Sequence, residues 1–198
     1  MQIRQAKVKD SAGLARVQVD SYQTAYAGLL PQPYLDRFTC TEQEQDWRDL
    51  LSCELNDIVY VAETDAGEIV GYALGRPGVS DVSPYDGELV ALHVRRSHQR
   101  RGIGRRLVAA IAAQLQRRGC TSLMLWVLGE NSSRLFYERL GGSVDWRAGK
   151  APGQGRFGGR GGFWLACHRE LVWPGMIKGE RQTCAAQGGG AGPFSVWN

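Results

Sequence analysis

The sequence predicts an α/β protein built on a mixed sheet flanked by helices. Three observations predict it. Strand-like runs alternate with segments of helical period in the order β-α-α-β-β-β-α-β-α-β-β. The run GELVALHV (87–94) is apolar almost without a break, the pattern of a strand buried on both faces. Soon after it the period changes: Ile103, Leu107, Ile111 and Leu115 fall four apart, as in an amphipathic helix packed on a sheet.

Taken in order, QIRQA (2–6) reads as a short first strand. Asp10 or Ser11 stands where a helix cap belongs, ahead of a helix carrying Leu14, Val17, Tyr22 and Tyr26. GLLP (28–31) interrupts the chain, and Pro31 and Pro33 prevent simple continuation. A second helix, in two pieces, is expected from near Pro33 to about Leu51. IVYVAE (58–63) and EIVGYALGR (68–76) are strands, and TDAG between them is a hairpin signal. Gly119 stops the amphipathic helix. TSLMLWVL (121–128) is a further strand. NSSRLFYERLGG (131–142) reads as a short capped helix with Leu135, Phe136 and Leu140 as its apolar set and Gly141 as terminator. SVDW (143–146) and GFWLACHRELVW (162–173) are the last strands, separated by a Gly-rich stretch without acids. Beyond Trp173 no period survives, so one domain over 1–173 and a low-complexity, disordered tail over 174–198 are expected.

Composition excludes several classes of function. At 198 residues, 43% hydrophobic and 22% charged, the chain can build an ordinary core. No apolar run approaches the ~20 residues of a membrane span. The start, MQIRQAKVKD, lacks the apolar centre of a signal peptide. A cytoplasmic protein without a membrane partner is expected. The 5 cysteines are widely spaced, odd in number and form no CxxC, which argues against a disulfide framework or a zinc site. His93 and His98 alone would lack further ligands, so no metal is expected.

Charge is concentrated. From Arg95 to Arg118 there are eight arginines and no acid; that segment carries +8 while the whole chain carries +4, so the remainder carries −4. Such local basicity suggests a site. It also coincides with a strand, a Gly-rich turn and a helix start. The first N–H groups of a helix lack intrahelical partners and lie at the positive end of its dipole. Gly102 and Gly104 keep side chains from blocking an anion there, and Arg100, Arg101 and Arg105 add charge at the rim. QRRGIG lacks the GK[ST] ending of a P-loop and the third glycine of a dinucleotide fingerprint.

VRRSHQRRGIGRRL (94–107) resembles the acetyl-CoA motif of the GNAT superfamily of N-acetyltransferases, whose core is [Q/R]-x-x-G-x-[G/A]; here it is Gln99, Gly102 and Gly104. NSSRLFYERLG (131–141) resembles the family's second motif, a short helix with Asn at its head, an aromatic pair and a closing Gly. The order of elements agrees over about residues 2–173. Two departures stand out: Arg96 replaces a common Pro, and Gly141-Gly142 replaces the usual Gly-Phe. The resemblance implies a GNAT-type mixed, mostly antiparallel sheet of about six to seven strands, with helices on both faces, splayed at the central strand.

It also implies roles. The backbone of Leu92, His93 and Val94 would pair with the pantetheine arm of acetyl-CoA, an N–H near His93 polarising the thioester carbonyl. The amides of Gln99, Arg100, Arg101, Gly102, Ile103, Gly104 and Arg105 would hold the pyrophosphate. Asn131 would contact the cofactor and Phe136 would pack on it. Tyr137 matches the family tyrosine that protonates the departing sulfur; the bland alternative is a half-buried helix tyrosine. Glu88, eleven residues before Gln99, is spaced like the catalytic glutamate of some members, and reads alternatively as a solvated strand-end carboxylate. A lysine-like amine has a reference pKa near 10.4, so such a base is needed to neutralise it.

In this fold the amine enters between the first helices and the last hairpin, which makes Tyr22, Tyr26 and Trp47 candidate pocket residues; ordinary core packing is the alternative. YxxAYxGLLP resembles a segment of bacterial members with undefined acceptor. The expected activity is transfer of acetyl from acetyl-CoA to a small-molecule amine, with neither membrane nor nucleic acid as partner and a homodimer as an option. Alternatives are a protein N-terminal or lysine acetyltransferase, a non-catalytic acyl-CoA sensor, and an RNA-binding protein. The last rests on the arginines and a single RGG-like unit, RFGGRGG (156–162).

Overall fold

In the computed structural model, residues 1–28, 31–53, 56–78, 85–128, 131–144 and 162–167 are described. The architecture is mixed α/β with a mostly antiparallel arrangement of strands. The chain divides into two units, Met1–Arg76 with Leu89–Gln114, and Pro77–Glu88 with Leu115–Asn198.

In the first unit β1 (Gln2–Gln5), β2 (Ile58–Glu63), β3 (Ile69–Pro77) and β4 (Gly87–Val94) lie in that order. β1 and β2 pair antiparallel from Gln2↔Glu63 to Gln5↔Tyr60, and β2 and β3 from Ile58↔Gly75 onward. The TDAG turn closes as its composition predicts: Gly67 takes φ 81°, its N–H donates to Thr64 O at 2.9 Å, and Thr64 N–H donates to Glu68 O at 2.9 Å. α1 (Ser11–Ala25) and α3 (Cys40–Ser52) are the long helices of the N-terminal part, with the single turn α2 (Gln32–Leu35) between them, so the second helix is indeed in two pieces. Thr39 caps α3, its Oγ1 accepting from Glu42 N–H at 3.3 Å and donating to Glu42 Oε2 at 2.8 Å. Leu14, Val17, Trp47, Val61, Val70, Tyr72, Leu107 and Ile111 are buried and form the core of this unit.

In the second unit the head of β4 pairs in parallel with β5 (Leu123–Leu128) at Glu88↔Met124. β5 pairs antiparallel with β7 (Gly162–Cys167), which pairs with β6 (Ser143–Val144). The C-terminal end of α4 (Ile103–Arg117) closes where Gly119 takes φ 90° and Cys120 N–H reaches back to Leu115 O at 3.0 Å. α5 (Arg134–Arg139) ends at Gly141, φ 91°. Residues 145–146, 168–173 and the expected tail 174–198 lie outside the described residues. Among the described residues no helix is long and apolar enough to cross a membrane.

Three expectations are corrected. Asp10 does not cap α1 with its side chain. Its carboxylate instead accepts from Lys7 N–H at 2.8 Å, closing a 3₁₀ turn over Val8–Asp10, and from Arg4. β4 is not buried on both faces: Gly87, Leu89 and His93 are buried, whereas Glu88, Val90, Ala91, Leu92 and Val94 are half-buried. In α5 the buried side chain is Tyr137, while Leu135 is 49% exposed and Phe136 and Leu140 are half-buried. A six-residue helix has room for one inward position, and the tyrosine occupies it.

Arg4 joins three segments of the first unit. Its guanidinium donates to both oxygens of Asp10, at 2.7 and 2.9 Å, and to both of Glu63, at 2.7 and 3.0 Å. Hydrogen bonding from Arg4 holds the Asp10 carboxyl below the usual range despite its burial. Removing one partner of a buried pair typically costs ~3–5 kcal/mol. Arg4 is partly wet, so Asp10→Ala is expected to cost about 2–3 kcal/mol in urea denaturation at pH 7. A depressed carboxyl stabilises above its unfolded pKa of about 3.9 and loses that contribution as pH falls through its folded value. Asp10→Asn should therefore flatten the fall of unfolding free energy below about pH 4.

Candidate active site

Two stretches of chain carry the expected site residues, one in each unit. In the first, β4 ends in Leu92, His93 and Val94. Gly71 of β3 lies so close to this end that a Cβ there would sit 2.9 Å from His93 O. His93 is 7% exposed, with Tyr72 at 5.2 Å and Tyr22 at 5.5 Å between ring centroids. Tyr22 in turn packs on Tyr26 at 5.1 Å and Phe38 at 4.7 Å, and Tyr72 meets Trp47 edge-on at 4.9 Å. Burial drives the phenols of Tyr22, Tyr26 and Tyr72 well above their ordinary range, so they stay protonated at any pH the fold tolerates. Trp47 is 1% exposed, and its indole N–H donates to Gln18 Oε1 at 2.6 Å, so the core engages it fully. Tyr34, half-buried and 5.5 Å from Phe38, belongs to the same aromatic group.

Beyond Val94 the chain turns tightly. Arg96–His98 forms one 3₁₀ turn, and Gln99 Nε2 donates back to Val94 O at 2.9 Å. Arg100 then takes φ 61° and Gly102 φ 76°, two left-handed residues around Arg101. Ile103, buried, starts α4, and Arg106 N–H bonds to Gly102 O at 3.1 Å. That bond makes Gly102 the residue before the first turn, so the amides of Ile103 and Gly104 have no acceptor within the helix. A Cβ on Gly102 would meet nothing within 4 Å. The protein therefore needs glycine here for the backbone conformation, and the space above the turn is open.

The arginines separate into two groups. Arg95 is committed: its backbone N–H donates to Val70 O at 2.9 Å, and its guanidinium binds Glu68 and, at 3.2 Å, Asp20. It staples the end of β4 to α1 and to the β2–β3 hairpin. Arg96, Arg100, Arg101 and Arg106 are exposed and enter no ion pair among the described residues. Reading the chain as a run of charge could not make this distinction, because Asp20 and Glu68 are distant in sequence.

In the second unit Glu88 is half-buried at its pairing with Met124. Tyr137 is 9% exposed on α5, with the Phe136 ring edge-on at 5.1 Å. Asn131, at the head of this segment, accepts from Ser133 N–H through Oδ1 at 2.9 Å and so shapes the turn that starts α5. Sequence reasoning missed Asp86, whose carboxylate gathers four hydrogen bonds from Thr121 and Ser122. Nothing in its sequence neighbourhood, Tyr-Asp-Gly, points to such a network.

A strand end, a left-handed turn, a helix start preceded by glycine, and exposed arginines in no ion pair among the described residues are a fit for a diphosphate. Residues 22–142 match the profile of the acetyltransferase (GNAT) family. The chain belongs to that family and is an acyltransferase of its type. An uncharacterized N-acetyltransferase of Bacillus subtilis, YuaI, is 37% identical over 136 residues, which are 69% of this chain and 76% of that protein. The crystal structure of PaiA N-acetyltransferase from Thermoplasma acidophilum in complex with coenzyme A is similar in fold, with a TM-score of 0.63 at 19% identity over 83% of this chain and 96% of that one. Naa20 of Chaetomium thermophilum, solved with a bisubstrate analogue, shares the fold at a TM-score of 0.57 and 20% identity, over 86% and 88% of the two chains.

The left-handed geometry predicts an asymmetry between neighbours. Gly102→Ala is expected to lower stability by about 1–2 kcal/mol without any packing clash. Arg100→Gly, which relieves the same strain while loosening the unfolded chain, is expected to stay within about 1 kcal/mol of wild type. Thermal or urea melts of the two variants check this.

Proposed function

We propose that this chain transfers an acetyl group from acetyl-CoA directly to a primary amine of a small-molecule or amino-acid-like acceptor. The observation that carries this reading is the left-handed turn at Arg100 and Gly102, which leads into the start of α4 beside Arg100 and Arg101, exposed and in no ion pair among the described residues. Acetyl-CoA would supply the activated acetyl group. Ile103 and Gly104 would offer backbone N–H groups to its diphosphate, and Arg100 and Arg101 would add charge at the rim. The backbone of Leu92, His93 and Val94 would align the pantetheine arm as an added strand, with an N–H near His93 directed at the carbonyl oxygen.

Glu88 would accept the proton that makes the amine nucleophilic, and Tyr137 would return a proton to the leaving sulfur. Asn131 and Phe136 would line the cofactor from the second motif. Tyr22 and Tyr26 would shape the acceptor side, with their hydroxyls kept neutral by burial. The fold shared with Naa20 keeps peptide N-termini among the acceptors to be tried.

The test is thiol release from acetyl-CoA against a panel of small amines and short peptides. Some primary amine is expected to give turnover that rises with pH as the amine deprotonates. Glu88→Gln should cut kcat by about 10²–10⁴ while calorimetry finds acetyl-CoA binding unchanged. Tyr137→Phe should cost less, since a thiol of reference pKa near 8.5 leaves in part unaided. No thiol release with any acceptor, despite binding, would favour an acyl-CoA sensor and overturn the catalytic reading. Turnover with peptides alone would replace the small-molecule acceptor.

A further inference from the structure

We infer that Asp86 is the positioning residue of the active site: its carboxylate sets the parallel register of β4 against β5 and thereby holds Glu88 in place. This rests on the reading of Glu88 as the base.

Parallel strands have no tight turn to set their alignment. β4 and β5 are joined by a long crossover through α4, so the register must be fixed elsewhere. A slip of one residue would send Glu88 to the opposite face. Asp86 stands where such a slip would begin. Its Oδ2 accepts from Thr121 N–H at 2.8 Å and from Thr121 Oγ1 at 3.0 Å. Its Oδ1 accepts from Ser122 N–H at 2.8 Å and from Ser122 Oγ at 2.6 Å. Its own N–H donates to Ser122 Oγ at 3.0 Å, and its carbonyl accepts from Gly78 N–H at 2.8 Å and Cys120 Sγ at 3.1 Å. Asp86 and Ser122 are 36 residues apart, the same offset as the pair Glu88↔Met124. One register therefore serves both the carboxylate network and the placement of Glu88.

Gly87, between them, makes the approach possible: a Cβ there would lie 2.9 Å from Ser122 O and 3.2 Å from Leu115 Cδ1. Burial opposes the charge of Asp86, but the hydrogen bonds from Ser122 and Thr121 outweigh it and hold the carboxyl below its usual range. Asp86 is therefore a permanent acceptor. With two oxygens and about four lone-pair sites already matched by four donors, it has no capacity left to take a proton from an amine. That separates its role from the one proposed for Glu88.

The experiment is a double-mutant cycle of Asp86→Asn with Glu88→Gln, read as kcat, KM for the amine and acetyl-CoA affinity by calorimetry. Asparagine keeps the shape but turns an NH₂ toward donors. Asp86→Asn alone should lower kcat by about 10–100-fold with acetyl-CoA affinity within about twofold. In the Glu88→Gln background it should cost less than about threefold more, because the residue it positions is already disabled. Should Asp86→Asn fail to fold, Ser122→Ala and Gly87→Ala perturb the same register and should show the same non-additivity. A full, multiplicative loss in the double variant overturns the inference and leaves Asp86 as a stability element. Wild-type turnover in Glu88→Gln alone instead removes the base assignment on which it rests.

Discussion

The molecule is organised around a backbone constraint at the join of β4 and α4. Arg100 and Gly102 both adopt left-handed φ, which an L side chain reaches only at a cost of about 1–2 kcal/mol. That cost has a geometric return. The chain leaves the strand, passes two left-handed residues and enters α4 at Ile103, with open space where a Gly102 side chain would sit. A helix start is attractive to anions in proportion to how bare it is. Here Ile103 is buried at the first position of the helix, while Arg100 and Arg101 before it are exposed. Contacts within the first unit hold the frame from which this turn departs. Arg95 ties the end of β4 to Asp20 and Glu68, Gln99 bonds back to Val94, and the aromatic packing around His93 seals the strand from beneath.

The arginine run illustrates how one residue type serves two ends. Arg95 and Arg96 are adjacent, yet the first is spent on structure and the second stays in solvent without a counterion among the described residues. A site for a highly charged ligand needs positive charge that the fold does not neutralise. It also needs that charge on a rigid frame, and the committed arginine provides part of the frame. In the second unit a carboxylate is likewise spent on structure: Asp86 is saturated by Thr121 and Ser122.

The local features of this protein were legible in its sequence, and the long-range ones were not. Period and punctuation located the strands and α-helices that the structure describes, though not the 3₁₀ turns at Val8–Asp10 and Arg96–His98, because Gly67, Gly119 and Gly141 act on their immediate neighbours. The two motifs around Gly102 and Tyr137 were legible through their resemblance to those of a known family, each being contiguous in the chain. Misreadings arose where a distant partner decides the outcome. Asp10 looks like a cap for α1, but Arg4 and Lys7 claim its carboxylate. β4 looks buried on both faces, since its apolar run cannot reveal that Glu88, Val90, Ala91, Leu92 and Val94 stay half-buried. Leu135 looks like a core residue, but the short α5 turns Tyr137 inward instead. Asp86 goes unmarked in the sequence, because nothing near it announces bonds to residues 35 and 36 positions away.

The proposed role of the β4–α4 turn is met most directly by comparing two ligands that share the acetyl-pantetheine arm and differ in the diphosphate. Equilibrium binding of acetyl-CoA and of acetyl-pantetheine, measured by calorimetry on the same preparation, isolates what the turn contributes. If bare amides and uncommitted arginines grip the diphosphate, acetyl-CoA binds at least about 100-fold more tightly, equivalent to some ~2.7 kcal/mol, and that margin narrows with added salt. Equal affinity for the two ligands would contradict it.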